Sequence, residues 1–524
     1  MNRFISLIAF IVLFQPLYSQ KVDSVAVTPS INQRSLQVVM QHWINTDNAA
    51  GLTFANVNKG GFTTFENYFS GGSHHRVQEG DGINGMRLYS EGYRSFNKRL
   101  FARGSFHFNK FIEQNRAWSD VVNTYNSNPY IMGSSVKGDY DSQQIELNLK
   151  VYTDTIGRFT YGLSSNYEVL DISRQRDPRT RTYLLDYNIA PSVTYKVTAN
   201  SRIGANAYYR FQKEKMPSIS TVQTDPNLKY YTFFGLQNFN SKIGGYKGFK
   251  RQFESDFVGS AIQYNYTNAF VNVLVSGGVD AQWQETVGDK KQSPGSFNSF
   301  GYNFLTSILV KANRFVHNAA LTAKYSNGAA DEYRQSLYTV RDPETGTSTE
   351  YWVTDYIYEN RFITETYNLA MSWKTYGLKQ NGQETKWSLG LDASYSSFRN
   401  TYYLPTSTFS ASVACAGISG SYLLLDRRSH TLEVSSHVEG GINLDSELDL
   451  ANTSEVSELI LAPDLDYYKR STIKVGGAIT YNFPLVFAGR GAMTGYARIY
   501  GENMFASNSY NWHVFGLAIG LLTL

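Results

Sequence analysis

The chain has 524 residues, with 48 Lys plus Arg against 44 Asp plus Glu and a net charge of +4. So small an excess leaves no electrostatic footprint for nucleic acid, and a single cysteine, Cys415, excludes an internal disulfide. Tyr (39), Phe (32) and Gly (42) are plentiful while Pro is scarce (12), a composition that favours strands.

Residues 1–20 read as a secretory signal peptide. Arg3 supplies the positive charge, Phe4 to Phe14 the apolar run, and the Ser19–Lys21 region the cleavage site. A retained helical anchor is the alternative, but a spanning helix needs about 20 apolar residues. No cysteine lies nearby to carry a lipid.

Residues 21–59 carry a helical stripe. Leu36, Val39, Met40, Trp43 and Ile44 share one helix face, and Thr46, Asp47 and Asn48 end it. The segment is expected to be a plug inside, or a periplasmic cap beneath, the domain that follows. Trp43, Asn48, Gly51 and Leu52 are its candidate plug residues.

From 60 to 524 the beat changes to period two. Ile145, Leu147, Leu149 and Val151 alternate with Gln144, Glu146, Asn148 and Lys150; Ile203, Ala205, Ala207 and Tyr209 are interleaved with Arg202, Asn206 and Arg210. Candidate strands fall near 60–70, 85–96, 98–112, 141–153, 157–171, 184–198, 201–215, 254–267, 269–285, 297–312, 314–327, 362–377, 384–398, 407–425, 429–442, 467–483, 490–503 and 510–523. Most exceed the usual strand length of about 5–6 residues. Short turns near 96–98, 154–157, 199–201, 268, 313, 378–383 and 427–429 are set against long polar loops at 113–140, 216–253, 328–361 and 443–466. Aromatic residues such as Phe159, Tyr167, Tyr264, Trp283 and Trp373 sit near strand ends on the apolar face. This pattern predicts an all-β fold, an antiparallel transmembrane β-barrel of about 18 strands (range 14–20), with a small N-terminal helical plug or cap. A soluble β-sandwich is the competing architecture, but it uses shorter strands with inward apolar faces.

In this pattern the chain resembles the outer-membrane β-barrel proteins of Gram-negative bacteria, including families known only as barrels without assigned function. Asn48 to Leu52, "NAAGL", is similar to the Asn-Pro-Ala-Gly-Leu opening of FadL-type transporters of hydrophobic compounds, with Ala49 in place of proline. That resemblance implies a hatch within the barrel. The barrel resemblance implies insertion by the barrel-insertion machinery, although the chain ends in Leu524 rather than an aromatic residue. It also implies a place in the cell outer membrane, against outer-membrane lipid and lipopolysaccharide.

If apolar positions face lipid, the alternate positions face the lumen. The lumen-lining candidates are Arg99, Arg103, Glu146, Lys150, Arg158, Glu168, Arg202, Arg210, Lys324, Lys386, Asp392, Glu433, His437, Glu439, Lys474 and Arg498. Basic groups outnumber acidic ones, which suits a pore preferring anionic or polar solutes; the alternative is charge pairing between neighbouring strands. His74 and His75, with Glu79 and Asp81, form the one candidate metal cluster, and no nucleotide-binding or catalytic motif stands out. Arg174, Arg176, Arg179 and Arg181 follow one strand, and the 443–466 loop is acidic, so the two loops are candidates for pairing across the mouth or, for the acidic one, for divalent cations. The expected function is a channel or transporter for a small solute or hydrophobic substrate, without cofactor, metal, nucleic acid or catalysis. The alternative is a closed barrel presenting its outer loops to a partner, such as an uptake receptor or a surface ligand. A rim enzyme is a distant third.

Overall fold

The computed structural model describes residues 31–54, 60–125, 128–222, 228–243, 249–288, 291–382, 384–427, 430–486 and 492–523. The leader at 1–20 lies outside them.

Eighteen strands close into one antiparallel barrel. They are β1 (Gly60–Gly72), β2 (Gly82–Asn97), β3 (Leu100–Arg116), β4 (Gly138–Thr153), β5 (Phe159–Arg174), β6 (Arg179–Lys196), β7 (Ser201–Met216), β8 (Arg251–Thr267) and β9 (Val271–Val287). The second half comprises β10 (Gly295–Ala312), β11 (Phe315–Arg341), β12 (Ser348–Leu378), β13 (Thr385–Tyr402), β14 (Ser407–Arg427), β15 (His430–Asp449), β16 (Thr472–Val486), β17 (Ala492–Ala506) and β18 (Tyr510–Thr523). Each strand pairs with its chain neighbours, and β1 closes on β18 in register from Gly61 opposite Thr523 to Gly72 opposite Trp512. Closure leaves no strand edge open, so the wall satisfies its backbone groups without water. No described helix is long and apolar enough to cross a membrane.

The pleat sorts the two faces. Leu147 and Leu149 are 46% and 49% exposed, as are Tyr161 at 49% and Leu163 at 43%, and all point outward. Their alternates Gln144, Glu146, Asn148 and Lys150 line the inside, opposite the inward residues Asn109, His107, Ser105 and Arg103 of β3. An outer face this apolar is stable against hydrocarbon rather than water.

The barrel has two unlike ends. The near end holds the start of β1, the end of β18 and the tight turns, including 98–99, 154–158, 268–270 and 313–314. Connections at the far end are mixed: 117–137, 217–250 and 450–471 are long, but 175–178, 403–406 and 507–509 are short. Two expected loops are otherwise built. The 328–361 stretch is a ribbon in which β11 and β12, 27 and 31 residues long, pair out to Arg341 opposite Ser348. In the 443–466 stretch β15 continues to Asp449, and a helical turn (Ser457–Leu461) leads into a short helix (Ala462–Lys469). Strand β14 is continuous despite its glycines.

Both ends of the lumen are filled. At the near end lie α1 (Ile31–Val39) and the turns His42–Asn45 and Ala49–Phe54. At the far end the long connections fold inward as a dome. Lys229–Gly235 pairs with Asn238–Ile243 on one side and Met132–Ser134 on the other, a small sheet inside the mouth. Its Tyr230 and Met132, with Val121, Tyr130 and Ile219, pack on the inward wall residues Phe253, Phe297, Ala330, Phe362 and Tyr402. Near the far rim, therefore, the barrel has a true hydrophobic core.

Candidate functional site

The near-end segment binds the wall by specific polar contacts. Asn48 is fully buried; its amide nitrogen faces Val193 O and Ala205 O at 3.3 Å each and Gln263 Oε1 at 2.9 Å, and its carbonyl accepts the Gly51 amide at 3.3 Å. The Ala50 amide donates to Ser192 Oγ at 3.1 Å. Two glycines permit this approach. A Cβ at Gly51 would stand 2.1 Å from the Trp43 ring, and one at Gly162 of β5 would stand 2.2 Å from Ala50 N. Trp43 and Leu52 are buried against Tyr152 and Leu274 of the wall.

Three of the lumen candidates reach this segment directly, and Arg103 is linked to it through Glu91. Lys150 donates to Thr46 O at 2.9 Å; Glu433 accepts from Asn32 at 3.2 Å; the Arg202 guanidinium lies 4.1 Å over the Phe54 ring. Arg103 pairs with Glu91 at 3.0 Å, and Glu91 also takes Arg34 of α1. The other candidates are mostly paired on the wall. Arg210 bonds Asp186 at 2.8 Å, His437 meets Glu502 at 2.7 Å, Lys474 meets Glu439 at 3.1 Å, Glu168 accepts from Gln144 at 2.7 Å, and Glu146 lies 3.7 Å from His107. Asp392 shares a cavity of about 180 Å³ with Cys415 and Glu439. Lys324 and Arg498 stand exposed on inward positions. Three candidates lie elsewhere: Arg99 and Arg158 occupy tight near-end turns, and Lys386 sits exposed where a register shift opposite Leu378 breaks the alternation.

The basic excess is thus offset by Glu66, Glu91, Asp186 and Glu502, lumen residues that the sequence reading passed over. Their signal was present, since Arg87, Tyr89 and Glu91 sit at i, i+2 and i+4 on one face. The arginine-rich stretch does not face the acidic one. Arg181 pairs with Asp171 at 2.6 Å and Arg179 with Asp177 at 3.1 Å, while Glu455 of the acidic stretch pairs with Lys229 of the dome at 3.0 Å. His74 stacks on Tyr467 with ring centroids 4.4 Å apart, His75 turns to Arg76 O at 2.9 Å, and no described group of three His, Cys, Asp or Glu is placed to hold a metal.

The dome is locked around Asp120, which is 2% exposed. It accepts hydrogen bonds from Tyr140 at 2.5 Å and Tyr230 at 2.9 Å, with the buried Arg174 guanidinium 3.9 Å away. A second lock joins three connections. The Val77 amide donates to Asp464 at 2.9 Å, and the Arg76 guanidinium lies 3.4 Å over the Tyr125 ring. Burial pushes the Asp464 carboxyl up to about 7 and His74 down to about 4. Asp464 holds its proton more tightly docked than free. Its contribution is fully present below the ordinary carboxylate range and is lost as pH rises through about 7. His74 acts oppositely, losing stability as pH falls from 6.5 through about 4. Acidification from about pH 8 to the upper edge of the histidine window therefore engages Asp464 before His74. Protection factors of the Ala462–Lys469 amides, taken relative to the intrinsic exchange rate at each pH, are expected to rise over that interval, and Asp464→Asn to abolish the rise.

Between the two fillings the lumen keeps space. A cavity of about 540 Å³ lies against α1 and is lined by Lys374, Glu433, His437, Arg498 and Glu502. One of about 560 Å³ lies against β3–β7 beside Arg116, Glu168, Asp186 and Arg210. A third, of about 530 Å³, lies beneath the dome against β12–β14.

Residues 49–523 match a family of unknown function (DUF6850). The chain belongs to this family. The match begins within the Asn48–Leu52 stretch that contacts the wall, so it takes in the end of the near-end segment with the whole barrel. No curated protein matches the chain. Solved structures similar to it are large barrels. The copper transporter OprC has a TM-score of 0.39 at 8% identity, covering 87% of this chain and 80% of its own. A Pseudomonas aeruginosa FadL homologue has 0.33 at 10%, covering 90% and 92%. The FrpB iron transporter from Neisseria meningitidis has 0.36 at 9%, covering 91% and 83%. Their cargoes are properties of those proteins.

Proposed function

We propose that the chain is a gated barrel of the Gram-negative outer membrane that passes small polar solutes, with its near end toward the periplasm. The carrying observation is a polar lumen closed at both ends by separately docked segments, with cavities of about 530, 540 and 560 Å³ left between them. A barrel serving only as a wall has no need of such space, whereas pockets of about 300–1,000 Å³ are the size that holds small ligands. In this reading the outer face meets lipid and lipopolysaccharide, and no catalysis is involved. Solute efflux from proteoliposomes tests it. The full chain is expected to leak slowly and a chain lacking residues 31–54 to release small polar solutes quickly; equal, negligible efflux from both would defeat it.

One observation favours a second reading, a barrel that presents a surface to a partner. The β11–β12 ribbon projects past the rim with Tyr338, Val340, Tyr351 and Tyr356 exposed, and exposed apolar patches mark contact surfaces. Shortening the ribbon is expected to leave efflux unchanged if passage is the function.

A further inference from the structure

The three cavities differ in chemistry. Those against α1 and against β3–β7 are ringed by charged side chains. The cavity beneath the dome is lined by seven aromatic rings, among them Tyr125, Phe362, Phe398, Phe409 and Tyr468, and by neutral hydroxyls and amides. Its two charged neighbours are already engaged. Arg76 pairs with Glu79 and covers Tyr125, and Asp464 accepts the Val77 amide.

The polar part of the lining is a patch of wall in register. Thr364 lies opposite Asn400, Thr366 opposite Phe398, and Asn368 opposite Ser396 on adjacent strands. None of Thr364, Thr366, Asn368, Ser396 and Asn400 has a side-chain hydrogen bond to another described residue. Thr364 is 3% exposed, and its hydroxyl is buried without a partner. A buried hydroxyl without a partner costs about 1–3 kcal/mol, so Thr364 is poorly satisfied as it stands, while Asn368 and Ser396 are exposed. Beside the patch on the wall, the rings of Phe398 and Phe409 pack edge-on and tilted with Tyr468 of the dome, with centroids 5.1 to 6.1 Å apart.

We infer that this cavity binds a neutral, hydroxyl-rich solute, a small saccharide. Its hydroxyls bond the Thr364–Asn368–Asn400 patch, and its C–H faces lie on the Phe398 and Tyr468 rings. An acyl chain would leave the hydroxyls and amides unpaired, and an ion would find no free opposite charge. The inference rests on the gated-passage reading and names its solute class.

Titration calorimetry on the full chain, in a detergent without a sugar headgroup, tests it. Maltotriose and cellobiose are the saccharide probes, decanoate the apolar one and inorganic phosphate the ionic one. At least one saccharide is expected to bind saturably. Thr364→Val, which keeps the side chain's shape, and Asn368→Leu are each expected to weaken binding by about five- to tenfold, the loss of one hydrogen bond. Arg498→Ala, in the neighbouring charged cavity, is expected to leave it unchanged. Absence of saccharide binding, affinity indifferent to Thr364→Val, or binding of decanoate or phosphate alone would overturn the inference. Saccharide binding without efflux from the proteoliposomes would refute gated passage and leave the site standing. Efflux of other solutes without saccharide binding would do the reverse.

Discussion

Replacing Asp120 by alanine is expected to unseat the far-end dome while the barrel stays closed. The carboxylate is the shared acceptor for Tyr140 and Tyr230, and among the described residues it is the one carboxylate paired with the buried Arg174. Removing one partner of a buried charge pair costs about 3–5 kcal/mol, because the remaining charge is left uncompensated. The cost falls on the dome, since Tyr230 belongs to its inner sheet and Arg174 to the wall. Cleavage of 117–137 and 217–243 by protease added at the far end is expected to rise on the order of 10²–10³-fold, as cleavage follows the open population. Retained heat-modifiable gel mobility would show the barrel intact. Asp120→Asn, which still accepts from one tyrosine, is expected to fall between.

Asn48→Ala is expected to do the same at the near end. The side chain reaches three wall acceptors on three strands, Val193 O, Ala205 O and Gln263 Oε1. Two donor hydrogens, each contributing about 1 kcal/mol or more, are lost together with the bond from Gly51, about 2–3 kcal/mol in all. That raises the undocked population roughly 30- to 150-fold. The effect is confined to docking, because the wall's own ladder does not involve Asn48.

The wall was legible because period-two alternation is local. Leu147 and Asn148 face opposite ways whatever the strand pairs with, and eighteen such stretches set the strand number. The same rule hid the dome. Phe253, Phe297, Phe362 and Tyr402 point inward near the rim, where alternation predicts polar residues, because the dome covers them. Nothing local marks Met132–Ser134 as the partner of Tyr230–Thr232, about 100 residues away. The near-end stripe was visible, although the helix stops at Val39 and Trp43 and Ile44 lie in a separate turn; a plug and a cap bury the same face, so Leu36 and Trp43 left both open. The contact of Asn48 with Gln263 distinguishes them. Charge pairing was half legible: Arg103, Arg210 and Lys474 were seen, but Glu91 and Asp186 needed the strand register.

Cys415 makes closure directly measurable. It is the single thiol of the chain, on an inward position of β14 beside Asp392 and Glu439. The decisive measurement is the rate at which a membrane-impermeant maleimide reaches it in proteoliposomes, for the full chain, Asn48→Ala and a chain lacking residues 31–54. Closure at both ends requires a slow rate in the full chain. The rate should rise by about tenfold or more in the other two, and only for reagent added at the near end. A fast rate in the full chain, or a rate that deletion of residues 31–54 leaves unchanged, would contradict it.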